Sequence, residues 1–160
     1  MKDNIKIVNM ADYPQFIEEV SKLLWEEWSR HNGKTLEEVT YRTKHCLKKD
    51  KIPQIHIAIR SAELLGTVSL WTCDLSKRQD LSPWMACLYV KPEYRGMGIG
   101  TSLQKKSVEV AEELKYKKLY LITEHENYYE KMGWKFLEVA PLKGERLTRI
   151  YEYKIGKDSA

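Results

Sequence analysis

The stretch Val90-Lys91-Pro92-Glu93-Tyr94-Arg95-Gly96-Met97-Gly98-Ile99-Gly100 decides how this chain is read. The apolar run Trp84 to Val90 leads into it, and Leu103, Ser107, Val110, Ala111 and Leu114 follow at helical spacing. A buried strand therefore enters a glycine-rich turn that opens a long amphipathic helix. Gly96, Gly98 and Gly100 remove the side chains that would hold a ligand away from the backbone. The first amides of a helix lack internal partners, and the positive end of the helix dipole lies behind them. Such a turn suits a phosphate or pyrophosphate, and Arg95 adds a full charge at its edge.

Two familiar phosphate motifs are excluded. A P-loop needs lysine and then serine or threonine after its last glycine, whereas Gly100 is followed by Thr101-Ser102. The dinucleotide pattern Gly-x-Gly-x-x-Gly fails as well: counted from Gly96 its last place is Thr101, and counted from Gly98 it is Leu103. The unit is instead Arg-x-x-Gly-x-Gly, running from Arg95 to Gly100.

Working outward, Asn4 to Asn9 reads as an opening strand, and Ile17, Val20, Leu24 and Trp28 share one helix face. His31-Asn32-Gly33 ends that helix, and Thr35 with Glu38 forms a capping box for a second one. From Pro53 the period becomes two: Ile55, Ile57 and Ile59 alternate with His56, Ala58 and Arg60. A second strand covers Gly66 to Thr72, a polar loop covers Asp74 to Ser82, and Trp84 to Val90 reads as a central strand buried on both faces. After the long helix come a strand at Leu119 to Ile122, a short helix near Tyr128 to Lys131, and strands at Trp134 to Val139 and Leu147 to Ile155. The order is βααβββαβαββ, a mixed α/β domain over residues 1–155 with a short tail at 156–160.

Composition agrees with one globular unit. The chain has 160 residues, 42% of them hydrophobic and 31% charged, enough for a core and against disorder. Its 27 basic and 23 acidic residues leave a net charge of +4, which suits an anionic ligand but not a nucleic-acid groove. The longest apolar run, Trp84 to Val90, falls far short of the ~20 residues that span a bilayer. Met1 to Ile7 lacks the apolar core of a secretory signal, so a cytoplasmic protein is expected. Cys46, Cys73 and Cys87 are odd in number and widely spaced, against both a disulfide framework and a zinc site.

At Arg95, Gly98 and Gly100 the sequence resembles the GNAT superfamily of N-acetyltransferases, whose signature is Arg/Gln-x-x-Gly-x-Gly/Ala. A second likeness lies in Tyr128-Tyr-Glu-Lys-Met-Gly-Trp134, similar to the family's Tyr-Glu-Lys-Leu-Gly-Phe. The resemblance implies a single-domain fold with a twisted, mostly antiparallel mixed sheet of about seven strands and about four helices. It also implies a fourth strand splayed from the fifth at a β-bulge. The cosubstrate would be acetyl-CoA, with no metal. Its pyrophosphate would lie on the main chain of Arg95, Gly96, Met97, Gly98, Ile99 and Gly100, with Thr101 and Ser102 reaching phosphate oxygens. Its pantetheine arm would pair with Leu88, Tyr89 and Val90, as an added strand does.

The reaction implied is direct attack by a primary amine on the thioester in a ternary complex. Tyr129, or Tyr128 if the register slips by one, would protonate the departing thiolate, and the Leu88 N–H would stabilise the oxyanion. Some relatives carry a glutamate base on the fourth strand, but Trp84 to Val90 contains none. Glu124 and His125 are the nearest titratable candidates, with a water chain as another route. Cys87, in an apolar strand, reads as core rather than as a nucleophile. His125-Glu126 makes no His-Glu-x-x-His metal site, because position 129 is Tyr129. The acceptor side would draw on Trp25, Trp28, His31 and Asn32, with Glu18, Glu19, Glu26, Glu27, Glu37 and Glu38 nearby, walls that suit a cationic amine. A non-catalytic acetyl-CoA sensor or scaffold, and a nucleotide phosphate binder, are the competing readings. Neither nucleic acid nor membrane is an expected partner, and relatives are often homodimers.

Overall fold

The computed structural model describes residues 4–156. The expected tail beyond Gly156 and the first three residues lie outside that range. The elements are β1 (Lys6–Asn9), α1 (Ile17–Leu24), α2 (Leu36–Lys44), β2 (Gln54–Arg60), β3 (Glu63–Trp71), β4 (Trp84–Val90), α3 (Ile99–Glu113), β5 (Lys118–Thr123), β6 (Lys135–Pro141) and β7 (Leu147–Lys154). One seven-stranded sheet takes the order β1-β2-β3-β4-β5-β7-β6. Every neighbouring pair is antiparallel except β4 and β5, which the α3 crossover makes parallel.

Alternation along the strands sorts side chains to the two faces. Ile55, Ile57 and Ile59 of β2 pack with Val20 and Leu24 of α1 and Val39 of α2. Leu65, Val68 and Met85 pack on the other face with Ile99 and Leu103 of α3. A third cluster gathers Leu75, Trp84, Tyr120 and Ile150, so the segment between β3 and β4 folds back over the sheet. The capping box forms as read: Glu38 N–H donates to Thr35 Oγ1 at 3.1 Å, and Thr35 N–H donates to the Glu38 carboxylate at 2.6 Å.

Two helical expectations need correction. Only three α-helices form among the described residues, because the helix expected near Tyr128 to Lys131 is one 3₁₀ turn, Glu130–Met132, stopped by Gly133 at φ 93°. The first helix does run toward Gly33, but Trp25–Ser29 winds as a π-helical turn and Arg30–Asn32 as a 3₁₀ turn. Such a change of winding rotates the side chains that follow it. Leu24 is fully buried, whereas Trp28 is only half-buried and turns toward β4, its ring 6.0 Å from that of Tyr89.

The central strand is where the fold opens. Trp84 pairs with Trp71 on one side and Tyr120 on the other, and that is the single β4–β5 pairing among the described residues. Burial follows the pairing: Trp84, Met85 and Ala86 are buried, and Cys87 to Val90 are half-buried. The expectation of cover on both sides therefore holds for the first half of β4 alone. The register against β3 shifts between Thr67 and Ser69, opposite Cys87 and Leu88, and Cys87 sits at φ 52°. An extra residue in one strand leaves main-chain groups unpaired and bends it, which parts β4 from β5.

Candidate active site

The parting opens a cleft of about 750 Å³. Its walls come from the π turn (Glu27, Trp28), the second half of β4 (Leu88, Tyr89, Val90), the glycine turn, and the segment after β5 (His125, Glu126, Tyr128, Tyr129). Two segments far apart in sequence, the glycine turn and Tyr128-Tyr129, thus meet across one opening.

The strand's hydrogen bonding shows which groups are free for a ligand. Lys91 N–H donates to the Leu65 carbonyl at 2.9 Å. Main-chain groups alternate sides along an antiparallel strand, so those of Tyr89 also face β3, while those of Leu88 and Val90 face the gap. Tyr89 accordingly departs from the expectation that all three residues lend main-chain groups; it lines the cleft with its ring. On the open side the Val90 carbonyl accepts Arg95 Nε at 2.9 Å, and the Arg95 guanidinium lies 5.3 Å from the centre of the Tyr89 ring. The motif arginine thus bridges the end of β4 to the turn.

The turn itself is shaped for an anion. Gly96 and Gly98 have φ of 82° and 80°, a region other residues adopt at a cost, and a Cβ built on either would meet nothing within 4 Å. Ile99 is buried and anchors the start of α3, while Arg95 to Gly98 are exposed. Gly98 caps the helix with no side-chain bond, leaving the first-turn amides available. Arg95, Gly96, Gly98, Ile99, Gly100 and Thr101 all line the cleft. Met97 does not, being half exposed on the outside of the turn, and the Ser102 hydroxyl donates to the Gly98 carbonyl at 3.1 Å.

Opposite lies Tyr129. Its ring packs 6.0 Å from Tyr151, 6.1 Å from Trp134 and 4.9 Å from Tyr128. Burial, and secondarily the nearby Tyr128, pushes the Tyr129 phenol up to about 12, so it keeps its proton at neutral pH. The two base candidates separate. His125 lines the cleft, whereas Glu124 points out of it and accepts from Arg146 at 2.7 Å. Glu126 in the cleft wall is held by Arg149 at 3.2 Å, so Glu27 is the lining carboxylate without an ion pair among the described residues. His31 and His45 are exposed, and burial holds His56 down to about 4 on the α3 side, away from the cleft. Burial raises the Cys87 thiol far above its ordinary range, which makes it inert. No group of three metal-ligating side chains occurs among the described residues, and no helix there is long and apolar enough to cross a membrane.

Sequence reasoning had no signal for the π turn that brings Glu27 and Trp28 to the cleft, nor for Arg95 reaching Val90. Both follow from three-dimensional closure rather than from any local pattern.

Comparison with known proteins returns the same architecture. The chain matches the acetyltransferase (GNAT) family over residues 17–134. Its structure is similar to that of an aminoglycoside 6'-N-acetyltransferase solved with coenzyme A (TM-score 0.76, 16% identity, 97% of this chain and 99% of that one). It is also similar to the aminoglycoside 6'-N-acetyltransferase of Enterococcus faecium (TM-score 0.71, 16% identity, 97% and 99%). An acetyltransferase of Streptococcus agalactiae superposes with a TM-score of 0.67 at 19% identity, over 97% of this chain and all of that one. At these identities the likeness speaks to the fold. No curated protein sequence matches the chain.

Proposed function

The chain belongs to the acetyltransferase (GNAT) family, and from that premise we propose that it moves the acetyl group of acetyl-CoA to a primary amine on a cationic acceptor. The observation that carries this reading is the continuity of one cleft, from the amides of the Gly98 turn to the unpaired side of β4. The turn fits a diphosphate, because the space a Cβ would take at Gly96 and Gly98 is open. The β4 edge fits an amide-bearing arm, because Leu88 and Val90 offer strand groups with no strand beside them. Strand-like pairing and an anion cradle in line describe a ligand with a diphosphate at one end and a peptide-like chain at the other.

Acetyl-CoA supplies an acyl carbon activated as a thioester, whose sulfur leaves as a thiolate. In this reading the Leu88 N–H, beside the bulge and facing the gap, stabilises negative charge on the carbonyl oxygen. In the same reading Tyr129, which lines the cleft and is protonated at neutral pH, returns a proton to the leaving sulfur. Glu27 gives the acceptor's positive charge a counter-ion at the mouth, with the Trp28 and Tyr128 rings beside it. Two of the similar structures are aminoglycoside 6'-N-acetyltransferases, which makes kanamycin, an aminoglycoside, and spermidine, a flexible polyamine, suitable first probes.

Calorimetry with acetyl-CoA and with ATP tests the cofactor, and released thiol in the presence of kanamycin, spermidine or butylamine tests the transfer. Binding of acetyl-CoA in preference to ATP, with amine-dependent thiol release, is expected. Preference for ATP would overturn the cofactor assignment. Tight acetyl-CoA binding without thiol release for a broad amine panel would favour a sensor or scaffold.

A further inference from the structure

The open edge of β4 carries a cover of its own. Leu88 and Val90 turn their main-chain groups to the gap, yet the Val90 carbonyl already accepts Arg95 Nε at 2.9 Å. The same guanidinium lies 5.3 Å from the centre of the Tyr89 ring, so it lies over the strand edge at the end nearest the glycine turn. Arg95, Val90 and Tyr89 all line the cleft.

The chain brings this arginine back by a local route. Pro92–Tyr94 forms one 3₁₀ turn, in which Tyr94 N–H donates to the Lys91 carbonyl at 2.9 Å and Arg95 N–H to the Pro92 carbonyl at 3.3 Å. That turn returns a side chain to a strand residue five positions earlier. Its root is fixed, because the Tyr94 hydroxyl donates to Glu63 at the start of β3 and the Arg60 guanidinium lies 5.3 Å from the Tyr94 ring. Its tip is held less firmly. Arg78, Arg146 and Arg149 each have a carboxylate partner. Arg95 is exposed, and among the described residues its charge rests on one carbonyl and one ring face. A guanidinium fork pairs with phosphate oxygens through two parallel charge-assisted bonds, more than a single neutral carbonyl offers. Gly96 and Gly98, the open cradle, follow Arg95 directly.

Resting on the acetyl-CoA reading above, we propose that Arg95 selects the acyl donor: it closes the Val90 end of the strand edge until a diphosphate in the glycine turn draws it away. The amide-bearing arm pairs at Val90 only after that exchange. A pantetheine thioester without a diphosphate has to open the edge unaided, so its affinity is lowered by the fraction of molecules in which the edge is open. Acetyl-CoA carries both parts, and each end of it prepares the site for the other.

Two ligand fragments and one variant test this. S-acetylpantetheine has the arm and no phosphate, inorganic pyrophosphate has the diphosphate alone, and Arg95→Met keeps a stem over Tyr89 without donor or charge. In wild type, pyrophosphate at matched ionic strength should tighten S-acetylpantetheine about 5-fold or more, and linkage requires the reverse effect to be equal. In Arg95→Met, S-acetylpantetheine alone should bind about 5-fold tighter than to wild type, with less than about a twofold response to pyrophosphate. Acetyl-CoA should bind that variant about 10-fold weaker, so the preference for the complete donor falls about 50-fold. An arginine that only holds the diphosphate would leave S-acetylpantetheine unchanged, and one that only props the turn would weaken both ligands. Either pattern overturns the proposal. By NMR, pyrophosphate alone should shift the Arg95 Nε–H signal and move the Val90 carbonyl ¹³C signal upfield as it loses its donor; unchanged signals overturn the exchange. Wild type that binds acetyl-CoA without coupling between the fragments overturns this proposal alone. Wild type that binds no acetyl-CoA overturns the cofactor reading, and the selection with it.

Discussion

The two halves of β4 share one strand and do opposite jobs. Trp84 to Ala86 are paired or packed on both sides and buried; Cys87 to Val90 have no β5 partner and are half-buried, with Leu88, Tyr89 and Val90 lining the cleft. Both halves are apolar in sequence. Hydrophobicity along a strand therefore measures how much surface is covered, while the bulge decides whether the cover is protein or ligand.

Substitutions in the first half should cost stability, and those around the second half should cost function. The largest effect expected is from Trp84→Ala. Its ring is fully buried 5.7 Å from Tyr120, and its Nε1–H donates to the Leu81 carbonyl at 2.6 Å. A loss of about 3–5 kcal/mol should appear in denaturant unfolding. Should the variant unfold with wild-type stability, the first half would not be the structural anchor claimed here.

Next comes Gly98→Val, expected to weaken acetyl-CoA binding about 100-fold, a loss of about 2.7 kcal/mol. Part of that would be backbone strain at φ 80°. Gly98→Asn separates the two causes, because asparagine tolerates this conformation but still puts a side chain in the cradle. Calorimetry on the asparagine variant should show near-wild-type folding with much of the lost affinity. Wild-type affinity in both variants would remove the turn from the binding site.

Tyr129→Phe keeps the ring among Tyr128, Trp134 and Tyr151 and removes only the hydroxyl. Turnover should fall about 10-fold with coenzyme affinity unchanged. Because the acid must hold its proton and its pKa is about 12, turnover should show no alkaline loss from this group up to pH 10. Equal turnover of the variant and wild type would take Tyr129 out of the reaction. The smallest effect belongs to Cys87→Ala, at the boundary between the halves: turnover within about twofold, as for any buried inert thiol. A large loss there would mean that the boundary residue takes part in the chemistry.

Much of this was legible from sequence because its signals are local. Alternation at Ile55, Ile57 and Ile59 marks β2, Thr35 with Glu38 marks the start of α2, and Arg95 to Gly100 marks the turn before α3. What escaped depends on closure. The switch to π winding at Trp25 carries no local pattern, and the Tyr128 segment is too short to show a helical period, so one 3₁₀ turn reads as a helix. Asp74 reads as the polar start of a loop; only the folding of that loop over β4 gives it Arg42 and Cys87 as neighbours. Burial raises its pKa, with a consequence for stability. The protonated form is favoured by folding, so this contribution is present below pH 3.8 and is lost as pH rises through about 6, by at most about 3 kcal/mol.

The claim beneath all of this is that β4 offers main-chain groups to a ligand across its gap with β5. Amide hydrogen exchange at Leu88 and Val90, with and without acetyl-CoA, measures that directly. The account predicts fast exchange in the free protein and strong protection on binding, with Met85 and Ala86 slow in both states. Protection at Leu88 and Val90 that is already high without ligand, or that does not change when acetyl-CoA binds, would contradict it.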